Sequence, residues 1–157
     1  MHFSTEDVIQ IKKKAADFFS SRPEILFAFF FGSLAQGKGT PLSDLDFAVY
    51  LDEAALRQSQ LQTSPRGFDF RSELTSQLMG ALKTNEIDLV FLNEAPPLLR
   101  HRILTQGEKL MVRDPLREQR FFVRTLQDYF DTEPIRRIQA RYLKDYLHGL
   151  KKSSASW

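Results

Sequence analysis

A chain of 157 residues with 42% hydrophobic and 27% charged side chains can bury one good core and gives no sign of two full domains. It holds no cysteine, which excludes a disulfide framework and a thiolate zinc site and is compatible with the cytoplasm. The formal charge of +2 does not call for nucleic acid, no apolar run approaches the ~18–20 residues of a membrane helix, and Met1-His2-Phe3-Ser4-Thr5-Glu6 lacks the basic start and apolar core of a signal peptide.

Ser4 or Thr5 is placed to cap a helix from Glu6 to Phe19. Val8, Ile11, Ala15 and Phe18 follow helical spacing there, with Lys12, Lys13 and Lys14 fanned over a solvated side. Ile25 to Phe31 is an unbroken apolar run between Pro23 and Gly32, suited to a buried strand. A glycine at its end allows a sharp turn and close approach of a phosphate to the main chain. Ser33 adds a hydroxyl and N–H groups at the start of a short helix.

Leu45 to Leu51 reads as a second strand, with Asp44 and Asp46 at i and i+2. Both carboxylates then leave one side of the pleat, their Cα atoms about 6 to 7 Å apart. That spacing suits a pair of Mg2+ ions about 3.5 to 4 Å apart, which supports both the attacking and the leaving oxygen of an in-line phosphoryl displacement. Without a cation the like charges push at least one carboxyl pKa upward. Asp-x-Asp alone is common in turns; the Gly32-Ser33 turn upstream is what singles this pair out. Gly32 to Lys38 also fits the first part of the phosphate-loop pattern G-x-x-x-x-G-K-[ST]. Gly39, however, stands where the hydroxyl is required, and Pro41 would interrupt the helix that must follow.

Residues 52–67 are mixed polar sequence closing in the turn cluster Ser64-Pro65-Arg66-Gly67. Phe70, Leu74, Leu78 and Leu82 recur at i+4 and mark a helix. In the apolar strand Glu86 to Leu92, Asp88 lies between Ile87 and Leu89-Val90-Phe91, where an unpaired carboxylate is costly to bury and so calls for a cation. Glu86 shares its face by alternation and is the second candidate; pairing of the acid with an arginine is the plain alternative. Lys38 and Arg66 are conceivable phosphate ligands for which solvent exposure is expected, and His2, His101 and His148 have no metal-ligand spacing.

Pro96-Pro97 leads into a helix over Leu98 to Leu104, followed by Gly107 and a short strand Lys109 to Val112. From Asp114 to Lys152 nine Lys or Arg stand against six acids, and Thr132-Glu133-Pro134 divides this stretch into two helices. In the second, Ile135, Ile138, Tyr142, Tyr146 and Leu150 form an apolar ridge with Arg136, Arg137, Arg141 and Lys144 around it. Such a helix either folds back on its own domain or docks on another protein.

Gly32-Ser33, the spacer Leu34 to Ser43, Asp44-x-Asp46 and a later acid at Asp88 together resemble the signature of the nucleotidyltransferases of the DNA polymerase β superfamily. The resemblance implies an α/β fold with a palm-like mixed sheet flanked by helices and a helical C-terminal tail. It also implies two Mg2+ ions held by Asp44, Asp46 and Asp88, with Asp88 helping to activate the nucleophile, and ATP with its phosphates near Gly32 and Ser33.

With no extra domain, the chain is similar to the minimal nucleotidyltransferases. Residues 1–113 would be the transferase domain and 114–157 a helical extension packed on that domain or on a partner. Minimal nucleotidyltransferases are often encoded beside a HEPN protein. In characterised pairs the HEPN partner is a toxic ribonuclease and the nucleotidyltransferase its antitoxin, transferring AMP from ATP to a tyrosine hydroxyl of the partner. The resemblance thus implies an AMPylating antitoxin with a HEPN partner, without membrane or nucleic acid. Two other readings stand beside it. A small-molecule transferase of the aminoglycoside type would need an acidic pocket for a cationic drug, whereas the later half of this chain is basic. The other is an antitoxin that acts by binding alone.

Overall fold

The computed structural model describes residues 3–61 and 69–154. Helix α1 (Thr5–Ser20) opens on Ser4, whose hydroxyl accepts the Asp7 N–H while the Asp7 carboxylate accepts the Ser4 N–H, a reciprocal cap. Strand β1 (Ile25–Phe31) runs directly into a one-turn helix, α2 (Gly32–Ala35), and β2 (Leu45–Leu51) returns beside it. Helices α3 (Glu53–Leu61) and α4 (Phe70–Leu82) carry the chain to β3 (Ile87–Phe91). There follow α5 (Pro97–Gln106), β4 (Glu108–Val112), α6 (Pro115–Asp131) and α7 (Glu133–Ser154). The strands lie in the order β3-β2-β1-β4, with β1 antiparallel to β2 and β4, and β2 parallel to β3. This is the mixed, helix-flanked α/β sheet that the sequence leads one to expect.

The unbroken apolar run of β1 is explained by its central place, since a strand covered on both faces has no solvated side to alternate with. On one face Ala28 and Phe30 join Leu45, Phe47 and Val49 of β2 against Ala15 and Phe19 of α1 and Leu74, Leu78 and Leu82 of α4. On the other, Phe27 and Phe29 and Ala48 pack with Leu92, Ile103 of α5 and Phe121 of α6. Tyr50 lies in a row of aromatics there, its ring stacked on Phe27 at 4.6 Å and tilted against Phe121 at 4.6 Å. That row fastens α6 to the sheet, so the first helix after residue 114 is part of the packed core.

Two expectations change. The stretch after β2 contains α3, which was read only as mixed polar sequence. Lys12 is half-buried and bridges to Glu108 on β4 at 3.0 Å, so only Lys13 and Lys14 belong to the solvated side. The turn cluster at Ser64 to Gly67, with Arg66, and His2 lie outside the described residues. Among the described residues no helix is long and apolar enough to cross a membrane. Alternation along β2 puts Asp46 on the same face as Ala48 and Tyr50 of the second apolar cluster.

Candidate active site

The β2–β3 ladder sets Asp46 opposite Asp88. Registered residues of neighbouring strands project to the same side of the pleat, about 4.8 Å apart along the hydrogen-bonding direction, so these two carboxylates stand side by side. Asp44 precedes them at the mouth of β2. There the Leu45 N–H donates to the Glu86 carbonyl at 2.9 Å, which ties the entry of one strand to that of the other.

The three acids differ in environment: Asp46 is half-buried, while Asp44 and Asp88 are exposed. Burial pushes the Asp46 carboxyl up to about 6, helped by the negative charge of Asp88 and then that of Asp44. Asp46 therefore feels the charges of both other acids. The hard oxygen donors and excess negative charge of the three acids fit a divalent cation of the Mg2+ type. Among the described residues no three His, Cys, Asp or Glu side chains are grouped so as to hold a metal ion. Asp46 and Asp88 share one face of the sheet, with Asp44 just before the start of β2.

The burial expected for Asp88 is not found: the residue is exposed, because its neighbours Ile87 and Leu89 belong to the opposite face. The desolvation falls on Asp46 instead. Glu86 stands two residues earlier on β3, half-buried, its backbone N–H donating to the Thr84 hydroxyl at 3.2 Å.

Beneath Asp46 lies the Gly-Ser bend. Gly32 has φ +82°, a left-handed conformation, and a Cβ added there would meet Asp46 Oδ2 at 2.0 Å. The glycine is thus required twice, by the backbone and by the carboxylate resting against it. Ser33 Oγ donates to Ser43 Oγ at 3.1 Å, and the same Ser43 oxygen accepts the Thr40 N–H at 2.8 Å and lies 3.2 Å from Thr40 Oγ1. Ser43 thereby joins the Gly-Ser bend to the residue that introduces Asp44. Sequence reasoning passed over it; the available signal was a Thr–Ser pair spaced for a side-chain-to-backbone turn. Lys38 is exposed on the loop, and no helix follows it, in keeping with the rejection of a phosphate-loop ATPase.

Residues 13–116 match the family model described as polymerase beta, nucleotidyltransferase. The chain belongs to that family. All of the residues just described lie within the match, and the chain is a nucleotidyltransferase by that membership. Among solved structures, one of a toxin–antitoxin with AMP-PNP contains a chain 25% identical, with a TM-score of 0.65 over 85% of this chain and 98% of that one. The complex of tri-AMPylated Shewanella oneidensis HEPN toxin with MNT antitoxin gives 22% identity and a TM-score of 0.61 over 87% and 98%. An MntA–HepT toxin–antitoxin structure gives 23% and 0.60 over 87% and 98%. The last two establish a shared fold. No significant match is found among curated proteins.

Proposed function

We propose that this chain is the antitoxin of a HEPN toxin–antitoxin pair and acts as a Mg2+-dependent adenylyltransferase, moving AMP from ATP to a tyrosine hydroxyl of the toxin. The observation that carries the catalytic part is the parallel register that puts Asp46 beside Asp88 over the Gly32 bend. The toxin–antitoxin role is supported by the similarity to a chain of a toxin–antitoxin structure, and ATP as donor by the AMP-PNP present in that structure.

Asp44, Asp46 and Asp88 would hold the metal, which when bound supplies charge neutralisation and a Lewis acid for phosphoryl transfer. The Ser33 hydroxyl and the backbone N–H groups of the bend bind the triphosphate. A phenol with pKa about 10 is protonated at neutral pH. Asp88, exposed at the edge of the trio, accepts that proton as the phenolic oxygen attacks the α-phosphorus, and pyrophosphate leaves in line. Positioning and charge stabilisation carry the reaction, so no covalent Ser-His or Cys-His apparatus is called for.

The decisive experiment incubates the chain with Mg2+, α-labelled ATP and its HEPN partner, alongside Asp44→Asn. Label on the partner that disappears with the variant is the expected result. Protection by the variant as strong as by the parent would point to neutralisation by contact, and label on an aminoglycoside but on no protein would replace the acceptor.

Ser43 yields a milder expectation. Removing one hydroxyl from a part-buried three-way contact costs about 0.5–1.5 kcal/mol, and the loss falls on the bend rather than on the core. Ser43→Ala should keep its thermal midpoint within a few degrees while binding of a non-hydrolysable ATP analogue weakens about three- to tenfold. Calorimetric titration checks this, and unchanged affinity would remove Ser43 from the site.

A further inference from the structure

Helix α7 leaves the body of the protein at Thr132. Its footing is local: the Arg136 guanidinium lies over the Tyr129 ring at 4.0 Å and bonds the Thr132 hydroxyl. Beyond it, every residue from Arg137 to Lys152 is exposed, and among the described residues the one element with which α7 makes substantial contact is α6. Yet the helix is strongly two-sided. Ile135, Ile138, Tyr142, Leu143, Tyr146 and Leu147 gather on one half of its circumference, and each stays 49–74% exposed. Helices of this length owe most of their stability to burial of such a face, and a continuous apolar stripe of this kind on a protein surface marks a site of interaction.

The charge on α7 selects the occupant. The helix carries six Lys or Arg against two acids. The basic side chains Arg141 and Lys144 lie on its other side and margins by helical spacing. Two copies packed stripe to stripe would bring like charges together along both margins, whereas a partner groove edged with acids would attract them. Tyrosines among aliphatic anchors suit protein recognition, giving large contact area at small entropic cost. The family match also ends at residue 116, before α7 begins.

We infer that α7 is a docking arm that lays its Ile/Leu/Tyr stripe into an apolar, acid-edged groove of the protein it modifies, in helix-in-groove fashion. The identity of that protein as the HEPN toxin rests on the function proposed above; the arm itself rests on the exposed stripe and its charge. Held this way, the acceptor is presented to the acids at high effective concentration.

The test uses the full chain and its HEPN partner. Tyr142→Ser with Tyr146→Ser should weaken the complex at least tenfold by calorimetric titration, with ATP-analogue binding unchanged as evidence of an intact domain. Arg141→Glu with Lys144→Glu should weaken it too and flatten its salt dependence. Parental affinity in the double serine variant would overturn the inference. So would a parent chain that forms a dimer through α7 while binding the toxin elsewhere, or one that binds phosphatidylserine vesicles through α7 and not the toxin. The two proposals separate cleanly. A complex lost on mutating α7 but never labelled sinks the transfer reaction and leaves the arm. Parental labelling rates by the serine variant at subsaturating toxin sink the arm and leave the reaction.

Discussion

Asp46→Asn is expected to lower nucleotidyl transfer by about a thousandfold or more and, in the same protein without metal, to raise the thermal midpoint. Both effects come from one environment. Asp46 is the half-buried member of the trio, and its carboxyl is pushed up to about 6 by burial and by the charges of Asp88 and Asp44. Its ionised form is therefore disfavoured in the folded state relative to the unfolded chain, where the ordinary value of 3.8 applies. A raised acid binds its proton more tightly when folded, so stability falls as pH rises through the interval from 3.8 to about 6. Asparagine keeps the shape and removes the charge. The gain in midpoint should be small near pH 4, grow across that interval and be complete above about pH 6. Added Mg2+ should reverse the order by stabilising the parent and not the variant. Thermal melts of both proteins at pH 4, 6 and 8, with and without metal, supply the measurement. A variant less stable than the parent at pH 8 without metal would show that Asp46 is a structural acid, paired rather than repelled.

What could be read from the sequence, and what could not, follows from the range of the interactions involved. The β1 run, the repeat Phe70-Leu74-Leu78-Leu82 and the spacing from Gly32-Ser33 to Asp44 and Asp46 are local patterns, and local patterns survive translation into structure. The pairing of Asp46 with Asp88 is not local. It depends on β3 docking parallel to β2 after a crossover through α3 and α4, and a slip of one residue would have sent Asp88 to the other face. The apolar neighbours of Asp88 suggested burial because a linear reading cannot tell which side of the sheet is covered at that end. Helix α3 was hidden because residues 53–61 carry few large apolar side chains to mark a stripe. In α7 the ridge was legible, but whether it is covered or left exposed depends on which surfaces of the described residues the fold brings against it, and no residue of the ridge encodes that.

Gly32→Ala tests the floor of the site, and Gly37→Ala supplies its control. Both glycines are left-handed, at φ +82° and +70°, a conformation that costs an L-residue about 1–2 kcal/mol. On that ground alone each alanine should lower the midpoint by a few degrees for a chain of this size. Their surroundings differ. Among the described residues nothing lies within 4 Å of a Cβ built on Gly37, whereas one on Gly32 meets Asp46 Oδ2 at 2.0 Å and Cγ at 2.9 Å. The methyl group at residue 32 cannot be accommodated until the Asp46 carboxylate swings away from its partners. A displacement near 1 Å at a reacting centre costs about a hundredfold in rate, so Gly32→Ala should lose about a hundredfold or more in label transfer while Gly37→Ala keeps most of it. The comparison divides backbone strain, common to both, from displacement of the acid, present in one. Equal losses of transfer in the two variants would mean that the bend matters for its conformation alone and that Asp46 does not need the space above Gly32.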